Sequence, residues 1–150
     1  MIIFCRRDYP ISAAYMPYAI DRLMRFCTTY DTDTVPAELA EQAWRLYGAG
    51  DPRLGLWIGV EGGHVFGHLL AQPEPFDRPQ GPWQYVLIRQ AEVDQHVNAI
   101  SAAKTCFKQC EAWARSFGVT RLVMLTHRNE ESMTRKWGFQ RYKVIMEKKI

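Results

Sequence analysis

The chain has 150 residues, 47% hydrophobic, 13% aromatic and 23% charged, with a formal net charge of +3. A chain of that length typically buries about 68–70% of its unfolded surface, so a real core is available, and the composition is that of a globular protein and excludes a disordered one. No run approaches the roughly 20 apolar residues of a membrane span, and Arg6, Arg7 and Asp8 interrupt the opening apolar run where a signal peptide needs its apolar stretch; the expectation is one soluble, cytoplasmic domain over residues 1–150.

In chain order, residues 1–5 form a short apolar run suited to an edge strand, and Tyr9-Pro10 turns the chain. From Ser12, apolar residues Tyr15, Met16, Ala19, Ile20, Leu23, Met24 and Cys27 recur at three- and four-residue spacing, which predicts an amphipathic helix. Polar turn formers over 28–34 break it. Pro36 suits a first helical position, and Leu39, Ala40, Ala43, Leu46 and Tyr47 mark a second helix stopped by Gly48 and Gly50. Strands over 54–61 and 64–72 flank Gly62-Gly63, a pair that accepts positive φ and so favours a tight hairpin. Residues 73–82 hold four prolines and read as a loop, and 83–93 as a strand in the middle of a sheet.

The next stretch organises the rest. Ala102, Ala103, Cys106, Phe107, Cys110, Trp113, Ala114 and Phe117 share one helical face, Gly118 ends that helix as a left-handed cap, and 121–125 is an apolar strand. A strand, a crossover helix and a strand in succession place the two strands parallel in one sheet. The helix opens at 94–101, and amides exposed at such a start form a natural seat for phosphate.

Charge and cysteine add two expectations. Residues 1–100 hold 8 Lys/Arg against 12 Asp/Glu, whereas 101–150 hold 11 against 4, so the last third is basic and suits a polyphosphate ligand, nucleic acid or solvent alone. The cysteines are Cys5, Cys27, Cys106 and Cys110, none in a zinc-like pair, and they read as buried thiols. His64 and His68, four apart on a strand, stand roughly 13 Å from each other, too far to share one ion, so no metal is expected. The tryptophans at 57, 83, 113 and 137 are expected to pack in the core, with Trp137 beside the path of a cofactor.

With its elements in this order, the chain resembles the GNAT superfamily of acyl-CoA-dependent N-acyltransferases over essentially its whole length. The closest local likeness runs from Val93-Asp94 through Glu111-Ala112-Trp113-Ala114-Arg115 and Gly118-Val119-Thr120-Arg121-Leu122 to Lys136-Trp137-Gly138-Phe139. The resemblance implies an α/β fold with a central mixed, mostly antiparallel sheet flanked by helices, in the order β-α-α-β-β-β-α-β-α-β. It also implies acetyl-CoA as co-substrate and an amine acceptor that is a small molecule or a protein; a homodimer or a protein partner stays open.

The family's pyrophosphate loop reads Arg or Gln, two residues, Gly, one residue, then Gly or Ala. In register, those positions hold Asn98, Ser101 and Ala103, so the resemblance assigns cofactor binding to Val93, Asn98, Ala99, Ile100, Ser101, Ala102, Ala103 and Trp137. Many members place a carboxylate base on the fourth strand and a Tyr acid on the last short helix. Here Glu92 is the first candidate base, His96 the second, and Thr134 occupies the Tyr position, where a hydroxyl of ordinary pKa cannot act as a phenol does. Tyr142 falls on the expected last strand as packing. Two functions follow: an N-acetyltransferase, or a GNAT-like domain that has lost transfer and serves as a binding or structural protein, as degenerate members do, some of them encoded by bacteriophages. The substitutions at Asn98, Ser101 and Thr134 favour the second. A nucleic-acid module ranks third, since the basic third lacks the interleaved aromatics of single-strand binders.

Overall fold

The computed structural model describes residues 1–5, 8, 10–29, 37–38, 41, 51–95, 98–124, 126, 130–141 and 148. Its elements are β1 (Ile2–Cys5), a 3₁₀ turn (Ile11–Tyr15), α1 (Met16–Thr29), β2 (Gly55–Glu61), β3 (His64–Glu74), β4 (Tyr85–Val93), α2 (Ala99–Arg115), β5 (Leu122–Met124) and α3 (Glu130–Trp137). Most of the expected second helix and the final strand with Tyr142 lie outside the described residues.

The five strands form one sheet in the order β1-β2-β3-β4-β5, with β1 at the edge. β1 to β4 pair antiparallel and β4 pairs parallel with β5, because α2 carries the chain back across the sheet between them. The β2–β3 hairpin turns on Gly62 (φ 56°) and Gly63 (φ 79°), the paired positive φ of a type I′ turn.

The two faces of the sheet explain why β2 and β3 read as nearly continuous apolar runs. On one face Leu56, Ile58, Val60 and Leu70 pack against Met16, Ala19, Leu23 and Cys27 of α1. On the other, Trp57, Leu69, Ala71, Val86 and Ile88 pack against Cys110 and Ala114 of α2. A sheet covered on both sides has no polar face to alternate with. Aromatic rings close the second layer: Trp113 meets Trp57 edge-on at 5.4 Å and Phe117 at 4.8 Å.

α2 starts where the Asn98 side chain accepts from the Ser101 amide at 3.3 Å, and the chain turns out of it at Gly118 (φ 74°). It begins three residues before the apolar pattern does and stops two residues sooner than Phe117. Pro73 falls inside β3 rather than in the following loop, and β4 starts at Tyr85, leaving Trp83 to meet Phe117 edge-on at 5.0 Å from outside the strand.

Two irregularities position the site. First, the β3–β4 register shifts: Ala71 pairs with Ile88 and Leu70 with Gln90, so Arg89 is the extra residue of a bulge. Val86 and Ile88 therefore face α2, whereas Gln90 and Glu92, opposite Leu70 and His68, face α1. Second, β4 pairs with β5 only over Val86 to Ile88. Beyond Ile88 no described strand pairs with β4 on the β5 side, and the sheet opens there.

Candidate active site

A cavity of about 520 Å³ occupies this opening. β4 contributes Arg89 to Val93, α2 contributes Ala99, Ile100, Ala102 and Ala103, and α3 contributes Ser132, Met133, Lys136 and Trp137. Phe107 of α2 supports the apolar wall, its ring 5.6 Å from that of Trp137.

A polar chain runs into the cavity from the α1 side. Arg22 is 5% exposed, and its Nη1 donates to Asp94 Oδ1 at 2.8 Å and to the Val65 carbonyl at 3.4 Å. Its Nη2 lies 3.4 Å from Glu92 Oε2. A buried guanidinium is tolerable because these two carboxylates, each about a third exposed, neutralise it.

His68 on β3 is paired with Glu92 across the sheet and buried. Its Nε2 is 3.0 Å from Gln90 Oε1, and Gln90 Nε2 donates to Cys27 Sγ at 3.1 Å. With Gln90 Oε1 as the acceptor, His68 carries its proton on Nε2 and leaves Nδ1 a bare lone pair. Among the described residues Nδ1 has no hydrogen-bond partner, and it lies 3.9 Å from Glu92 Oε2. Burial lowers the His68 pKa to about 4; the Gln90 bond opposes this, and the charges of Arg22 and Arg25 reinforce it against the pull of Asp94. The imidazole is neutral at pH 7.

The two helix thiols are inert by the same physics. Burial pushes Cys106 up to about 12 and Cys110 above the usual thiol range, so neither is a thiolate nucleophile.

Of the residues singled out from sequence, Glu92, Val93, Ala99, Ile100, Ala102, Ala103 and Trp137 line the cavity. Asn98 and Ser101 stand at the exposed start of α2 and are not among its lining residues. They bond to each other instead, so one first-turn amide is already occupied, while Ala99 and Ile100 belong to the turn whose N–H groups have no intrahelical acceptor. Thr134 is exposed on α3 and does not line the cavity; its carbonyl accepts from Gly138 N at 3.1 Å in the left-handed cap that ends the helix. His96 lies outside the described residues.

Sequence reasoning missed Arg22, His68 and Gln90 as members of the site. A signal existed: Arg22 sits three residues after Ala19 on the apolar face of α1, and Gln90 and His68 interrupt apolar strands. Ionisable or amide groups at core-facing positions need partners, and their partners were one another.

No family model and no curated protein matches the sequence. Solved structures do match in fold. The aminoglycoside antibiotic 6'-N-acetyltransferase AAC(6')-IG from Acinetobacter haemolyticus superposes with a TM-score of 0.65 at 16% identity, over 100% of this chain and 99% of that one. Aminoglycoside N-acetyltransferase AAC(6')-Iy, crystallised with CoA, superposes with a TM-score of 0.67 at 14% identity, over 99% of this chain and 93% of that one. A soil-metagenome aminoglycoside acetyltransferase, meta-AAC0020 in complex with sisomicin, gives a TM-score of 0.60 at 11% identity over 99% and 95% of the two chains. With its mixed sheet opening between parallel β4 and β5 and the crossover helix beside the cleft, the protein has the fold of the GNAT acetyltransferases.

Proposed function

We propose that the protein is an N-acetyltransferase that moves an acetyl group from acetyl-CoA to an amine, with residues 1–150 acting as one domain. The observation that carries this reading is the placement of Glu92, a partly exposed carboxylate on the wall of a largely apolar cavity opened by the parting of β4 and β5.

Acetyl-CoA supplies the acyl group as an activated thioester. Beyond Ile88, where no described strand pairs with it on the β5 side, β4 offers backbone N–H and C=O groups to an amide-bearing ligand in the manner of an added strand. The first turn of α2, Ala99 and Ile100, presents amides suited to phosphate, and the basic last third of the chain supplies Lys136 at the cavity wall. Glu92 is the group that takes a proton from the amine. Among the described residues no tyrosine lines the cavity to protonate the departing thiolate.

Calorimetric titration with acetyl-CoA and CoA, followed by acetyl transfer to a panel of amines, tests the reading. Absence of binding at high micromolar ligand ends it. The second reading, a GNAT-like domain without transfer activity, rests on the Asn98 cap that consumes the Ser101 amide and on the exposed Thr134. Binding without transfer to any amine would decide for it.

A further inference from the structure

We infer that His68 is a second anchor for the acceptor's amino group: its bare Nδ1 and Glu92 Oε2 form a two-acceptor seat for an amine carrying at least two N–H bonds. The inference rests on the transferase reading for its biological meaning, but its chemistry stands on the geometry alone.

With the Gln90 amide oriented by its Nε2 bond to Cys27 Sγ, Gln90 Oε1 accepts from His68 Nε2, and Nδ1 is left as an acceptor. It faces a carboxylate oxygen, a second acceptor, at 3.9 Å with no hydrogen between them. Two buried or half-buried acceptors so close call for a donor that serves both. Both residues line the cavity.

One nitrogen making two bonds of about 2.9 Å at the tetrahedral angle holds its acceptors about 4.7 Å apart. Glu92 therefore has to swing outward by something under an ångström. Its side chain, 35% exposed, has room to do so, and although the move lengthens its 3.4 Å ion pair with Arg22 Nη2, Asp94 keeps its 2.8 Å bond to the same guanidinium. His68 cannot move in compensation: its side chain is 0% exposed, tied to Gln90 and met edge-on by Phe26 at 5.9 Å.

The seat also orients the reaction. With two hydrogens held by Glu92 and His68, the lone pair uncovered when an ammonium's third proton leaves to water points away from both acceptors. As that lone pair forms the N–C bond, the hydrogen on Glu92 passes to its carboxylate, and the C–S electron pair departs with sulfur. His68 holds a hydrogen and takes none. The groups facing it are Arg22 and Arg25 from α1 and Glu92 and Asp94 from β4 and its exit, beside neutral Gln90 and Phe26.

Long-range ¹H–¹⁵N correlation spectra of the full chain labelled at histidine nitrogen test this without acetyl-CoA, so a failure here is separate from a failure to bind acetyl-CoA in the calorimeter. Free protein should show His68 protonated on Nε2. Ethylammonium chloride, titrated against sodium chloride at matched ionic strength, should shift His68 Nδ1, whereas tetraethylammonium, which has no N–H, should not. Glu92→Gln should abolish the shift, because its amide can occupy Nδ1. An Nδ1-protonated tautomer, no shift with ethylammonium (as when only water fills the gap), or equal shifts with both cations would each overturn the proposal.

Discussion

Acidification provides a direct test of the buried network. His68 has an unfolded pKa of 6.5 and a folded value of about 4, set mainly by burial. Below pH 6.5 the unfolded chain binds a proton that the folded chain refuses, so stability rises with pH between about 4 and 6.5 and is lost on the way down. A gap of 2.5 units, from 6.5 to about 4, corresponds to roughly 3 kcal/mol, a large share of the about 5–15 kcal/mol that holds a typical domain together. No solvent discount applies, since the side chain is 0% exposed. Urea unfolding measured from pH 7 to pH 4.5, in the wild type and in His68→Gln, isolates this contribution from the carboxylates, which titrate in both. The variant's free energy should fall less steeply with acid, whatever its offset at pH 7. Parallel curves would refute the assignment of His68 as a buried neutral imidazole.

Other perturbations probe the surrounding geometry. A Cβ at Gly67 would sit 2.7 Å from the Glu92 carbonyl and 3.3 Å from Val93 Cα, both backbone, so Gly67→Ala should lower stability by about 1–3 kcal/mol in thermal unfolding; an unchanged midpoint would show that β3 and β4 part more easily than their register implies. Arg22→Met removes the cation between Glu92 and Asp94. Removing one partner of a buried pair costs about 3–5 kcal/mol, and the one-third exposure of both carboxylates brings this to about 2 kcal/mol, read by urea unfolding at pH 7. A neutral result would mean the arginine is not what holds α1 to the end of β4. Ser101→Glu places a carboxylate at the first turn of α2, where phosphate would sit, and should abolish CoA binding in the calorimeter, with unchanged affinity placing the phosphate elsewhere.

Much of the fold was legible in the chain because it is encoded locally. Gly62-Gly63 announces the hairpin, Gly118 the end of α2, and the strand-helix-strand succession the parallel β4–β5 pair, each through the conformational demands of a few neighbouring residues. Glu92 was named from the likeness to a family that carries a carboxylate on its fourth strand, and the structure places it on the cavity wall. Asn98 was legible only as a departure from the family's loop; that its side chain would turn back onto the Ser101 amide is capping geometry seen once the helix is built. Thr134 shows the limit on α3, where alignment on Gly138-Phe139 assigns a position in sequence but not the side of the helix that meets the cavity.

By itself the sequence determined the types of the described elements, because those depend on periods of two and 3.6 residues, while the choice of Glu92 came from the family resemblance. Only the tertiary structure decided that the bulge at Arg89 turns Gln90 and Glu92 toward α1, where Arg22, His68 and Cys27 wait. Strand register joins residues far apart in the chain, and a one-residue shift sends every later side chain to the opposite face. No local pattern carries that information, and the polar site depends on it.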